Sequence, residues 1–175
     1  TDHLFLRNLS ESDGKEVFES LLKHQGFETY LSRNMPKDIE SVREKIIRTR
    51  DDLDINLGAY RAGKFIGRGI IRNLRFAQDS AFKNSAFISF WLLPPFHGAL
   101  ELELATELCR IAFEELNLRK IFVPIFAENK RMKSIIEKLP FTLIGRLKNH
   151  YRKNDIEHDS LRYEMLAEDW KRYKN

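Results

Sequence analysis

The stretch that most restricts how this chain can fold is Trp91-Leu92-Leu93-Pro94-Pro95-Phe96-His97-Gly98-Ala99-Leu100-Glu101. The residues before it, Ala86 to Leu93, are nearly all apolar, which predicts a strand covered on both faces at the centre of a sheet. Proline cannot donate to a ladder, so Pro94-Pro95 ends that strand. From Ala99 to Leu116, Leu100, Leu104, Leu108 and Ala112, with Ala105, Cys109 and Phe113 beside them, form the apolar stripe of a helix that packs on the sheet. A strand, a tight turn and a helix N-terminus make a natural seat for a phosphate-bearing ligand. This turn has one glycine where such seats usually want more, and Glu101, Glu103 and Glu107 follow where a phosphate would sit.

Around this centre the pattern is regular. Leu4-Phe5-Leu6 reads as a first strand, and Ser10-Glu11-Ser12-Asp13 opens a helix with Val17, Phe18, Leu21 and Leu22 on one side. A second helix begins near Pro36-Lys37-Asp38, carries Ile39, Val42, Ile46 and Ile47, and closes at Asp51-Asp52. Ile55 to Tyr60 and Lys64 to Asn73 form a hairpin through Arg61-Ala62-Gly63, and Phe76 to Ser85 is a polar loop. After the long helix come a strand from Lys120 to Phe126, a helix from Asn129 to Leu139, strands from Phe141 to Tyr151 and Ser160 to Leu166, and a short helix from Ala167 to Tyr173.

With 175 residues, 42% of them hydrophobic, the chain suffices for one domain over 1–175 and not comfortably for two. Thirty basic against 26 acidic residues leave a net charge of +4, spread along the chain and interleaved with acids. That balance permits an anionic ligand and gives no reason to expect nucleic acid. The single cysteine, Cys109, excludes an internal disulfide and a cysteine-rich zinc site. His3, His24, His97, His150 and His158 have no metal-ligand spacing, so no metal is expected. No apolar run approaches the roughly 20 residues of a membrane span, and the first residues lack a signal-peptide pattern; no membrane association and a cytoplasmic setting are expected.

Taken in order, strand, two helices, three antiparallel strands, long helix, strand, helix, two strands, the chain resembles the GNAT superfamily of acyl-CoA-dependent N-acetyltransferases. It is most similar to the branch that acetylates the N-terminal alanine of ribosomal proteins. The residues that carry the resemblance run from Leu4 to Asp13, Phe90 to Gly98 and Ala112 to Ile121, then through Asn129, Glu137-Lys138-Leu139-Pro140-Phe141, His158-Asp159-Ser160, Tyr163 and Trp170. The resemblance implies a three-layer α+β fold with a central mixed, mostly antiparallel sheet of about seven strands and helices on both faces. It implies acetyl-CoA as co-substrate and a small-molecule or peptide amine as acceptor.

In that family a segment with Gln or Arg, two residues, Gly, one residue, and Gly or Ala opens the long helix and grips the cofactor's pyrophosphate. Aligned from Trp91, it falls on His97-Gly98-Ala99-Leu100-Glu101-Leu102. His97 stands for the usual donor and Gly98 is present, but Leu100 and Leu102 occupy the small-residue positions. Lys130, Arg131 and Lys133 are basic residues that either reach the phosphates or form a solvated face. The main chain at Leu92 and Leu93 would hold the pantetheine arm, and Asn129 would meet it, cap the next helix, or do both. The family's base and acid positions hold Phe87 and Met132, neither able to move a proton; Ser134 is out of register, and Ser89 is either a polar candidate or a small residue beside Trp91. Tyr30, Tyr151 and Asp79 border the acceptor groove by analogy alone, and no catalytic residue is assigned. Two readings stand: an N-acetyltransferase acting on a primary amine such as a protein N-terminus, and a non-catalytic relative with a degenerate cofactor site.

Overall fold

The computed structural model describes residues 3–24, 35–47, 54–75 and 84–175. Seven strands form one sheet: β1 (Phe5–Asn8), β2 (Ile55–Arg61), β3 (Lys64–Arg75), β4 (Ser85–Leu92), β5 (Lys120–Phe126), β6 (Thr142–Lys153) and β7 (Ile156–Leu166). Their order is β1-β2-β3-β4-β5-β7-β6, antiparallel throughout except for the parallel pair β4 and β5. The helices are α1 (Gly14–Leu22), α2 (Ile39–Val42), α3 (Ala99–Arg110), α4 (Lys130–Ile136) and α5 (Ala167–Lys174). This is the mixed, mostly antiparallel α+β architecture that the family resemblance implies.

Two layers of core hold it. On one face of the sheet, Leu104, Ala105, Leu108, Cys109 and Ala112 pack with Ile66, Ile71, Ile88, Leu92 and Ile121, together with Ile135 and Ile136 of α4. The stripe continues past α3 because the helix widens into a π-helical turn over Ile111–Glu115. Gly69 lets α3 settle on β3, since a Cβ there would lie 2.8 Å from a Leu108 methyl. On the other face Val17, Leu21, Val42, Ile46 and Ile47 cover Tyr60, Phe65 and Leu93. Burial pushes the Cys109 thiol well above its ordinary range, so it serves as packing.

Some boundaries differ from the sequence reading for local reasons. A 3-10 turn over Glu11–Asp13 precedes α1, and α2 gives way to a π-helical turn over Arg43–Ile47; the expected close at Asp51-Asp52 lies outside the described residues. β7 begins at Ile156, before the expected Ser160, because β6 and β7 join through Asn154 and Asp155, both at positive φ (50° and 60°), in a tight hairpin turn. The hairpin's outer half is exposed on both faces, so it shows no alternation that could announce a strand.

Asp13 fastens β1 to the start of α1. Its carboxylate, 8% exposed, accepts two bonds from Arg7 (2.6 and 2.9 Å) and one each from the Ser10 amide (2.7 Å) and hydroxyl (2.8 Å). The Arg7 guanidinium first, then the Ser10 donors, hold this carboxyl far below its ordinary value against the opposing effect of burial. A depressed folded-state pKa means stability that is complete above the unfolded value near 4, declines as pH falls below it, and is gone beneath the folded value. Asp13→Asn is expected to cost about 2–3 kcal/mol at pH 7. Urea midpoints measured down to pH 3 should show that penalty shrinking.

Candidate functional site at the split of the sheet

β4 and β5 pair only at Ser85 with Lys120, Ala86 with Ile121 and Phe87 with Phe122. Beyond these three rungs the strands part, although both continue for several residues. Pro124, two residues past the last rung, has no N–H to offer, which removes one donor that could have extended the ladder. The Leu93 amide donates to the Ile66 carbonyl of β3 at 2.7 Å. Because alternate residues of a strand present their main chain to opposite neighbours, Leu92, Phe90 and Ile88 aim their amides and carbonyls at the gap. Of the two main-chain positions expected to face it, Leu92 does so, whereas the Leu93 amide is spent within the sheet. Phe90 and Ile88 were missed because nothing in an apolar strand tells which edge a residue faces until the register is known.

The turn after β4 runs through a 3-10 turn, Pro94–Phe96, into α3. Gly98 caps α3 at φ 102° and ψ −119°, a conformation that side chains rarely adopt, in open space. Its amide donates to Glu101 Oε2 at 3.1 Å. Glu101 is 0% exposed, and its other oxygen accepts from Arg131 of α4. The N-terminus of α3 thus already holds an anion, the chain's own carboxylate, bridged to a cation. Ala99 and Leu100 are the first two helical residues, so their amides have no intrahelical acceptor. Leu100 and Leu102 are half-buried and pack against the core.

The His97 ring borders this seat but bonds back to the main chain of β4. Nε2 lies 2.9 Å from the Leu92 carbonyl, which can only accept, so the proton sits on Nε2. Burial first, then Arg131, push the His97 pKa down, and the Leu92 contact only partly opposes them. The ring is therefore neutral at pH 7, and the 4.0 Å approach of Nε2 to Glu101 is no ion pair. Of the three basic residues, Arg131 binds Glu101, Lys133 lies 3.8 Å from Glu137 and Lys130 is exposed.

Asn129 is buried, and its side chain accepts from the Met132 amide at 3.1 Å, capping α4. Met132 is in the core and Ser134 is exposed. Phe87 packs against Phe122 with ring centroids 5.4 Å apart and planes tilted by 33°, while Ser89 and Trp91 follow on the same face of β4. Trp91 meets Phe65 edge-on at 5.9 Å. Tyr151 stacks on Phe126, whereas Tyr30 and Asp79 lie outside the described residues. Among the described residues no cluster of His, Cys, Asp and Glu could hold a metal ion, and no helix is long and apolar enough to cross a membrane.

Known proteins resemble this chain in sequence and share its fold. The "Putative ribosomal N-acetyltransferase YdaF" of Bacillus subtilis (strain 168) is 25% identical over 181 residues, covering 97% of this chain and 94% of that protein. The spermidine N-acetyltransferase of Vibrio cholerae, solved with CoA and spermine, superposes with a TM-score of 0.80 at 20% identity, over 97% of this chain and 99% of its own. A structure described as "Probable acetyltransferase" does so with a TM-score of 0.83 at 23% identity, over 97% and 96%. At these identities the two structures establish the fold. The sequence pattern described as the acetyltransferase (GNAT) domain matches residues 3–142, so the chain belongs to the GNAT acetyltransferase family.

Proposed function

We propose that the chain is an acetyl-CoA-dependent N-acetyltransferase that acts on a primary amine, a protein N-terminus being one acceptor of this kind. The observation that carries the reading is the split between β4 and β5 after three rungs, which leaves one edge of β4 open beside α3 and α4. Main-chain groups on that edge suit the amide-rich pantetheine arm, and the thioester it bears is the acyl donor when bound. In this reading Leu92 lines the slot, Trp91 packs beside it on Phe65 on the face turned away from α3, Leu93 turns the chain out of it, and Asn129 fixes the far wall by capping α4. His97 holds the Leu92 carbonyl, which an arm lying there would compete for. Gly98, Ala99 and Leu100 present the amides at the helix start. Phe87 and Phe122 at the last rung and Met132 of α4 offer no titrating group, and Glu164 opposite Phe122 is engaged by Lys120; in this reading water takes the amine's proton and positioning does most of the work. The named relatives, a spermidine acetyltransferase and a ribosomal one, are consistent with an amine acceptor.

The pyrophosphate end fits less well. Glu101 occupies the helix start that the family uses for phosphate, which favours a second reading: a GNAT-like protein with a degenerate cofactor site that serves in binding or assembly. Melting temperatures with and without acetyl-CoA separate the two. A ligand at a hundred times its dissociation constant adds about 2.7 kcal/mol of stability. A rise in the melting temperature is expected; none at millimolar acetyl-CoA would favour the non-catalytic reading and overturn the first.

A further inference from the structure

The sheet face turned away from α3 carries chemistry that the cofactor slot does not use. Register places Arg72 opposite Phe87, Phe87 beside Phe122, Phe122 opposite Glu164, and Pro124 opposite Arg162. Alternation puts these residues and Ser89 on one face, because Ala86, Ile88, Ile121 and Val123 point the other way into the core with α3. The face therefore flanks the same split from the side opposite α3.

Its charges are unequally satisfied. Lys120 and Glu164 pair at 2.7 Å, and the Arg68 guanidinium donates to the Asn56 side chain at 2.5 Å. Arg72 and Arg162 are different. The Nε of each is buried with no hydrogen-bond partner, and Arg162 Nη2 meets only the His150 ring, at 2.6 Å. Among the described residues no hydrogen bond or ion pair joins either guanidinium to a carboxylate. A buried N–H without an acceptor carries a desolvation cost that an incoming anion would remove. A guanidinium is also the side chain best shaped to accept a carboxylate.

We propose that Arg72 and Arg162, on opposite flanks of the split, each offer a guanidinium to an anionic group of the acceptor, so that the preferred amine carries a carboxylate nearby and a polycation is disfavoured. The inference rests on the acetyltransferase reading and narrows its substrate class. A polyamine brings only positive charge to this face and offers no acceptor to either Nε, whereas an acidic peptide or a free amino acid brings what the face lacks.

The test compares initial rates of acetylation of amidated peptides Ser-Asp-Ala, Ser-Asn-Ala and Ser-Lys-Ala, of free serine, and of spermidine. The expected result is a kcat/KM for the Asp peptide or for free serine at least about tenfold above those for the Asn and Lys peptides and spermidine. Preference for the Asp peptide locates the carboxylate on a side chain, and preference for serine locates it on the α-carbon. Arg72→Gln and Arg162→Gln should each drive that ratio toward one, chiefly through KM. Equal or better turnover of spermidine or the Lys peptide, or an unaltered ratio in both variants, overturns the subsite. A second measurement does not depend on turnover: fluorescence anisotropy of the Asp peptide, labelled at its C-terminus, with wild type and with R72Q/R162Q. Tighter, salt-sensitive binding to wild type supports the subsite even if no amine is acetylated, in which case only the enzymatic reading fails. Equal binding to both proteins overturns it.

Discussion

Replacing Glu101 by glutamine is expected to tighten CoA binding about 10- to 100-fold, about 1.4–2.8 kcal/mol, while lowering the melting temperature of the free protein. The carboxylate is fully buried at the start of α3, where it takes the Gly98 amide and the Arg131 guanidinium. These are the donors that a pyrophosphate would use, and like charges at close range in a partly dry site repel strongly. Glutamine keeps the shape, can still accept from Gly98, and frees the Arg131 charge for the ligand. The cost to the free protein is about 1–3 kcal/mol, because Arg131 is 38% exposed and water can take over part of its solvation. Titration calorimetry with CoA, alongside melting of the free protein, reads both effects. An unchanged affinity would mean that the phosphates seat away from α3.

The reciprocal change is expected to be more damaging. Arg131→Met leaves Glu101 as a buried carboxylate whose remaining hydrogen-bond donor is the Gly98 amide. Removing one partner of a buried ion pair costs about 3–5 kcal/mol, and here the partner left behind is the fully buried one. The asymmetry gives a clear double-mutant cycle. Arg131→Met with Glu101→Gln should be more stable than Arg131→Met alone, because the stranded charge is gone. Urea midpoints of the four proteins measure this. Strict additivity of the two single effects would show that Glu101 and Arg131 are not coupled.

How much could be read from the residues depends on what each signal encodes. The apolar run at Ala86–Leu93 and its stop at Pro94-Pro95 located the central strand, observed as Ser85–Leu92, because apolar content and a missing donor are local properties; the expected cover on both faces is not found, since only alternate residues are buried and Phe87, Ser89 and Trp91 are half-buried. The stripe from Leu104 to Ala112 located α3 for the same reason. The β6 and β7 hairpin was shortened because its outer half faces solvent on both sides and carries no period. At the site, the conflict between Glu101 and a phosphate was visible as a charge at a helix start. Its resolution was not, since Arg131 lies thirty positions away and Lys130 and Lys133 looked equally suited to it. His97 was placed correctly along the chain, but its ring turns back to Leu92, a direction that spacing does not encode.

The sequence by itself thus determined the order of elements and the position of the turn, because periodicity, proline and apolar burial act over a few neighbouring residues, and the family through the resemblance of its residues in order along the chain. Tertiary structure alone decided which edge of β4 is open, which cation answers Glu101, and that Arg72 and Arg162 flank the aromatic pair of Phe87 and Phe122. Those outcomes depend on register across strands distant in the chain, where a shift of one residue would turn every side chain to the opposite face.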